Sequence, residues 1–79
     1  MNWESTAKQK YDAMIKKMPM FHRGIAEEVV NKEAENIAVA RGAKQVEERD
    51  IVQAFQTEVP PAFFSLMTRL MDMVGFKHH

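Results

Sequence analysis

Prolines occur at only two points in this 79-residue chain, at Pro19 and at the pair Pro60-Pro61, and they decide where helices can end. A proline inside a helix removes a hydrogen bond and crowds the preceding turn, and it pushes the residue before it toward extended backbone. The chain is thereby cut into segments whose apolar residues recur at the three- and four-residue spacing of amphipathic helices. Trp3, Ala7, Tyr11, Met14, Ile15 and Met18 form one such stripe, with Lys8, Lys10, Asp12, Lys16 and Lys17 off it. This predicts a first helix over residues 3–18, capped by Asn2 or Ser5 and ended by Pro19.

A second, long helix is expected from Phe21 or Gly24 to Arg41. Phe21, Ile25 and Val29 mark one edge of its apolar face, and Ala26, Val30, Ala34, Ile37 and Ala38 the other. Phe21 is expected to anchor the corner after Pro19 in the core. Gly24, inside a helix, costs about 1 kcal/mol relative to alanine, which predicts either close approach by another backbone or a helix that begins only after it. Gly42 suits the left-handed position that closes a helix. Ala43-Lys44-Gln45-Val46 reads as a short extended link. A third helix follows, with Glu47, Glu48 and Asp50 at its start and Ile51, Ala54 and Phe55 on its buried side. Pro61 can open the last helix, which runs to about Val74 before Gly75. Phe63, Phe64, Leu66, Met67, Leu70, Met71, Met73 and Val74 cover most of that helix, more apolar surface than one small core needs.

The expected fold is therefore all-α: a small bundle of about four helices with a long central one. It divides into a helical unit over 3–57, an additional apolar helix over 58–76 and a disordered tail at 77–79. A chain of this length buries roughly 60% of the surface its unfolded form exposes, so its core is marginal. It contains no cysteine, which excludes disulfides, iron–sulfur ligation and cysteine-based zinc sites. Self-association is the expected source of added stability. Eleven basic and eleven acidic residues cancel, but unevenly. Residues 1–23 carry five basic and two acidic groups, residues 24–58 four and eight, and the remainder two and one. A basic arm beside an acidic middle suits self-pairing or a protein partner better than nucleic acid. Charges interrupt every apolar run well short of about 18 residues, so no membrane span or signal peptide is expected, and a cytoplasmic location is the default.

The order of parts carries a resemblance. A Trp3-led helix, Pro19, Phe21 and Arg23, then Glu35, Ala38 and Gly42 on the long helix, then Val46 and Ile51, resembles the small C-terminal domain of the B-type polypeptide of light-independent protochlorophyllide reductase, an enzyme similar to nitrogenase. The likeness covers residues 3–57. The chain departs from the family's pattern where Met20 separates Pro19 from Phe21, where Ala40-Arg41 shifts the basic residue, and where Glu47 replaces a Ser or Thr cap, predicting a weaker helix start. The resemblance implies a place near chlorophyll-type tetrapyrrole biosynthesis. In that family, however, the iron–sulfur cluster is held mainly by cysteines in other regions, and electrons come from a separate ATP-driven subunit. This chain has neither cysteine nor a G-x-x-x-x-G-K-[ST] loop. The resemblance thus implies ancestry: a module without catalytic residues, metal or cofactor of its own, serving a larger protein subunit or contributing to another polypeptide's active site. "AENIAVARGAKQVEERDIVQAF" also looks like the second half of a histone fold, whose long helices cross in dimers. DNA binding is not expected, since the link holds only Arg41 and Lys44, followed by Glu47, Glu48 and Asp50.

Candidate ligand- or partner-binding residues are Trp3, Tyr11, His22, Arg23, Phe63, Met67, Leu70 and Met71. His22 could be an axial ligand to a tetrapyrrole metal, although a surface histidine on a corner is the preferred reading. Trp3 and Tyr11, eight residues apart, could share a helical face and stack on a planar ligand; core packing explains the spacing equally well. Methionines and phenylalanines on the last helix suit an adaptable binding surface, with core plus a dimer seam as the preferred account. Arg23 and Glu35 lie twelve residues apart, about 18 Å along one helix, so pairing between them requires folding back or a second chain. Glu27-Glu28 and Glu47-Glu48 point in different directions on their helices and form no catalytic dyad. His78 and His79 are excluded from any site.

Overall fold

The computed structural model describes residues 1–77, so the tail expected at 77–79 lies, apart from Lys77, outside the described residues. The chain runs β1 (Asn2–Trp3), α1 (Ser5–Lys16), α2 (Met20–Ala40), β2 (Gln45–Val46), α3 (Glu48–Glu58), a 3-10 turn (Pro61–Phe63) and α4 (Phe64–Val74). It is an all-α bundle to which β1 and β2 add one two-stranded parallel ladder, Asn2 opposite Gln45 and Trp3 opposite Val46. β1 shortens α1 from the expected residue 3 start to Ser5. The cap is neither Asn2 nor Ser5 but Glu4, whose carboxylate accepts from the Thr6 and Ala7 backbone N–H groups at 3.0 and 2.8 Å. These N–H groups hold the Glu4 carboxyl below its ordinary range.

α1 stops before Pro19, and Arg23 closes its end. The Arg23 Nη2 donates at 2.8 Å to the Lys16 carbonyl, one of the acceptors that a helix C-terminus leaves unpaired, and at 3.0 Å to the Met18 carbonyl just beyond it. Arg23 and Glu35 do not meet within the chain; Glu35 Oε2 instead accepts from Trp3 Nε1 at 3.1 Å. α2 begins at Met20, so Gly24 lies inside it, and among the described residues no atom beyond its own turns of helix backbone comes within 4 Å of where its Cβ would stand. Neither explanation expected for this glycine holds within the chain. Gly24→Ala should therefore raise stability by about 0.5–1 kcal/mol, read as a higher melting temperature. An unchanged or lower melt would show that the backbone there needs glycine.

Phe21 does not anchor the corner: it is 78% exposed. The stripe of α2 that is covered is Val30, Ala34 and Ala38, against α3, where Ile51, Val52, Ala54 and Phe55 are buried. Gly42 takes the left-handed conformation (φ 75°) and lets the chain reverse from α2 into β2. That reversal brings Arg41 onto α3. Its guanidinium donates to Asp50 Oδ1 and Oδ2, both at 2.7 Å, and to Glu47 Oε1 at 2.8 Å. Asp50 Oδ2 also accepts from the Glu47 backbone N–H at 2.9 Å. The start of α3, expected to be weak for want of a Ser or Thr, is thus secured from Asp50 in its first turn. Pro60 and Pro61 then turn the chain so that α4 lies along α1. Gly75 (φ 90°) ends α4, its carbonyl accepting from Lys10 Nζ at 3.1 Å, and Phe76 is buried beyond it. Lys10 also meets Glu48 at 2.7 Å. Burial pushes the Glu48 carboxyl up, but Lys10 and the Lys77 N–H more than offset this and hold it below its ordinary range.

Candidate partner-binding groove

α2 packs on α3, and α4 packs on α1. The first half of α2 is therefore left without a neighbour on the side facing the start of α4. A groove of about 350 Å³ opens there. One wall is His22, Ile25, Ala26 and Val29 of α2; the other is Val59, Pro60, Phe63 and Leu66. Buried Val30, Met67 and Leu70 make its floor, and Met18-Pro19 and Glu58 also line it. The lining is almost wholly carbon. Its two ionisable side chains, His22 and Glu58, are both exposed. Phe21, His22 and Phe63 form a short aromatic run at one end, with ring centroids 4.2 Å and 6.3 Å apart in succession. At the other end, Val29 and Glu58 adjoin a smaller hollow bordered by Lys32, Glu33 and Asn36.

Of the residues singled out from the sequence, the structure brings His22, Phe63, Met67 and Leu70 to this groove. Arg23 sits beside it, engaged with the end of α1, and its Nε is buried without a partner. Trp3, Tyr11 and Met71 are elsewhere. Tyr11 is fully buried, its ring tilted against Trp3 at 5.1 Å and Phe55 at 5.9 Å, and its hydroxyl donates to the Glu27 carbonyl at 3.3 Å. Burial pushes the Tyr11 phenol well above its usual value, with the Glu27 and Asp12 charges adding to the effect. Lys8 stands over both rings, 5.6 Å from Trp3 and 5.4 Å from Tyr11, a cation–π pairing that covers the outer side of this ring cluster. These residues tie α1 to α2 and α3 and leave no room for a planar ligand between them.

No family model, curated protein or solved structure matches this chain. The groove must therefore be read from its own chemistry. Among the described residues no three His, Cys, Asp or Glu side chains gather into a metal-ligand cluster. No helix among them is long and apolar enough to cross a membrane. Of the two carboxylate pairs, Glu47-Glu48 is engaged structurally, Glu47 with Arg41 and Glu48 with Lys10 and Lys77, and Glu27-Glu28 lies exposed on α2. An open, carbon-lined channel between two helices is suited to receive an apolar helical edge.

Most of the groove was missed from the sequence, Ile25, Val29, Pro60 and Leu66 on its walls among the residues not singled out. Their signal was present in part. The apolar face of α2 has two edges, and packing against α3 covers the Val30–Ala34–Ala38 edge and not the other.

Proposed function

We propose that this chain is a non-catalytic interaction module whose groove receives the apolar face of a helix from another protein chain. The observation that carries the reading is the lining: carbon on both walls, with Phe21, Ile25, Phe63 and Leu66 exposed around the mouth. Contiguous exposed apolar surface of this kind marks interaction sites in soluble proteins. Kinship with the C-terminal domain of the B-type polypeptide of light-independent protochlorophyllide reductase is part of the same proposal. It makes the module an assembly element descended from an oxidoreductase subunit, working in the cytoplasm, with chemistry left to other polypeptides.

The test uses the fluorescent apolar probe ANS on dilute protein, about 1 μM, where the groove is unfilled. The wild type should enhance ANS fluorescence severalfold, and the uncharged double variant Ile25→Gln with Leu66→Gln should lose most of that enhancement while melting at the same temperature. No enhancement in the wild type, or an equal one in the variant, would refute the groove as an apolar site. A tetrapyrrole occupant is the second reading, favoured by one observation: the exposed His22 imidazole on the groove wall beside Phe63. It requires a Soret shift on titration with haem that His22→Ala abolishes. The interaction-module reading expects no shift at tens of micromolar.

A further inference from the structure

Given that groove reading, we propose that the helix occupying the groove is α2 of a second copy of this chain, paired about a two-fold axis with the two α2 segments antiparallel. Three observations support it. First, a two-fold interface needs one patch that complements itself. Here the concave groove adjoins a convex apolar ridge on the same helix, Phe21 (78% exposed) and Ile25 (68% exposed). Each ridge can enter the other copy's groove.

Second, the groove is electrically polar along its length. At the His22 end, exposed Lys16 and Lys17 immediately precede its Met18–Pro19 border. At the Val29 end stand Glu58 and Glu33, with Lys32 the one opposing charge of that hollow. His22 and Val29 are seven residues apart, about 10 Å along α2. Antiparallel pairing brings the lysines of each copy to the glutamates of the other at both ends. Parallel pairing would set lysine against lysine, so the chain's own α2 supplies the complement only in the antiparallel sense.

Third, the exposed apolar residues are clustered rather than spread over the surface. A stable interface takes about 800 Å² from each partner, roughly one-sixth of this chain's 5117 Å² surface. The exposed large apolar residues are concentrated for that purpose in residues 20–29 and 63–66.

Sedimentation of the full chain from 5 to 500 μM at low salt tests the proposal. The wild type should show a monomer–dimer equilibrium. Ile25→Glu, at an exposed position and so expected to melt like the wild type, should raise the dimer Kd by about tenfold or more. Lys17→Glu alone and Glu58→Lys alone should each weaken the dimer about three- to fivefold, and the chain carrying both changes should return to within about twofold of the wild type. That recovery is the result expected when residue 17 of one copy faces residue 58 of the other, provided it is smaller at about 0.5 M salt than at low salt and exceeds that of Lys17→Glu combined with Glu28→Lys, which restores the same net charge. A wild type that stays monomeric at 500 μM overturns the proposal, as does a dimer indifferent to Ile25→Glu. Absence of recovery in the double charge swap overturns the antiparallel register. A monomer that still binds ANS through Ile25 and Leu66 leaves the groove reading standing and removes only the second copy.

Discussion

Asp50→Ala should lower stability by about 3 kcal/mol, the cost of removing a buried carboxylate that accepts three hydrogen bonds. For a chain this size that is a fall of roughly 12–20 °C in melting temperature. Asp50 is only 1% exposed, and its two oxygens accept from Arg41 Nε, Arg41 Nη2 and the Glu47 backbone N–H. Removing it strips the start of α3 of its acceptor, leaves the exposed Arg41 guanidinium with Glu47 alone and opens a void where a buried side chain stood. The same carboxylate sets an acid limit. Burial pushes its pKa up, but the Arg41 hydrogen bonds, the Glu47 N–H and the neighbouring positive charge outweigh this and hold it below the ordinary range. Arg41 is held charged in turn, its pKa raised further by the Asp50 bonds. A carboxyl with a depressed folded pKa contributes stability that is complete above its unfolded value, about 3.9, and is lost as pH falls through the folded value. Glu4 and Glu48, also held low, act in the same direction. Urea midpoints should therefore be flat from neutrality to about pH 5 and fall steeply below about pH 4, less steeply in Asp50→Ala. A loss under about 1 kcal/mol, or an acid limb unchanged by the substitution, would mean that Asp50 carries no special load.

Asp50 also shows where sequence reasoning stops. An acidic residue in the first turn of a helix reads as a surface partner of the helix dipole. Only the left-handed turn at Gly42 brings Arg41, nine residues earlier, against it. That is a tertiary fact with no local periodic trace. The helices themselves were legible because prolines and glycines punctuate them and because their apolar residues repeat. β1 was not, since two residues have no period to detect and its pairing partner lies more than forty residues away. The groove was half legible. Both edges of the α2 stripe and the excess of apolar residues on α4 were visible, and together they required some uncovered surface. Which edge stays uncovered depends on α4 choosing α1 over α2. That choice pulls Met71 and Phe76 inside and leaves Phe21 and Ile25 outside, while Trp3 and Tyr11 are taken up in packing with Phe55 of α3.

That division of α4 gives the sharpest contrast between neighbouring residues. Met67, 6% exposed, belongs to the floor that joins α4 to the core, whereas Leu66, one residue earlier, lies on the open wall. Met67→Asp places a carboxylate among Val30, Leu70 and Met71 without a cation to meet it, and should cost about 4 kcal/mol or more. A domain of this size has roughly 4–12 kcal/mol to lose. The variant should therefore melt at least about 15 °C lower, or lose the α4 contribution to its helical circular dichroism at room temperature. Leu66→Asp should leave the melt within about 0.5 kcal/mol of the wild type, since its side chain already meets water in the single chain. It should nevertheless weaken the dimer as strongly as Ile25→Glu, because on pairing the same position is closed off from solvent. The two substitutions thus separate the two duties of one helix. The methionine side holds the chain together through α1, and the Leu66–Phe63 side is spare apolar surface that a single copy does not use. Equal thermal losses for Met67→Asp and Leu66→Asp would place both residues in one continuous core and close the groove altogether.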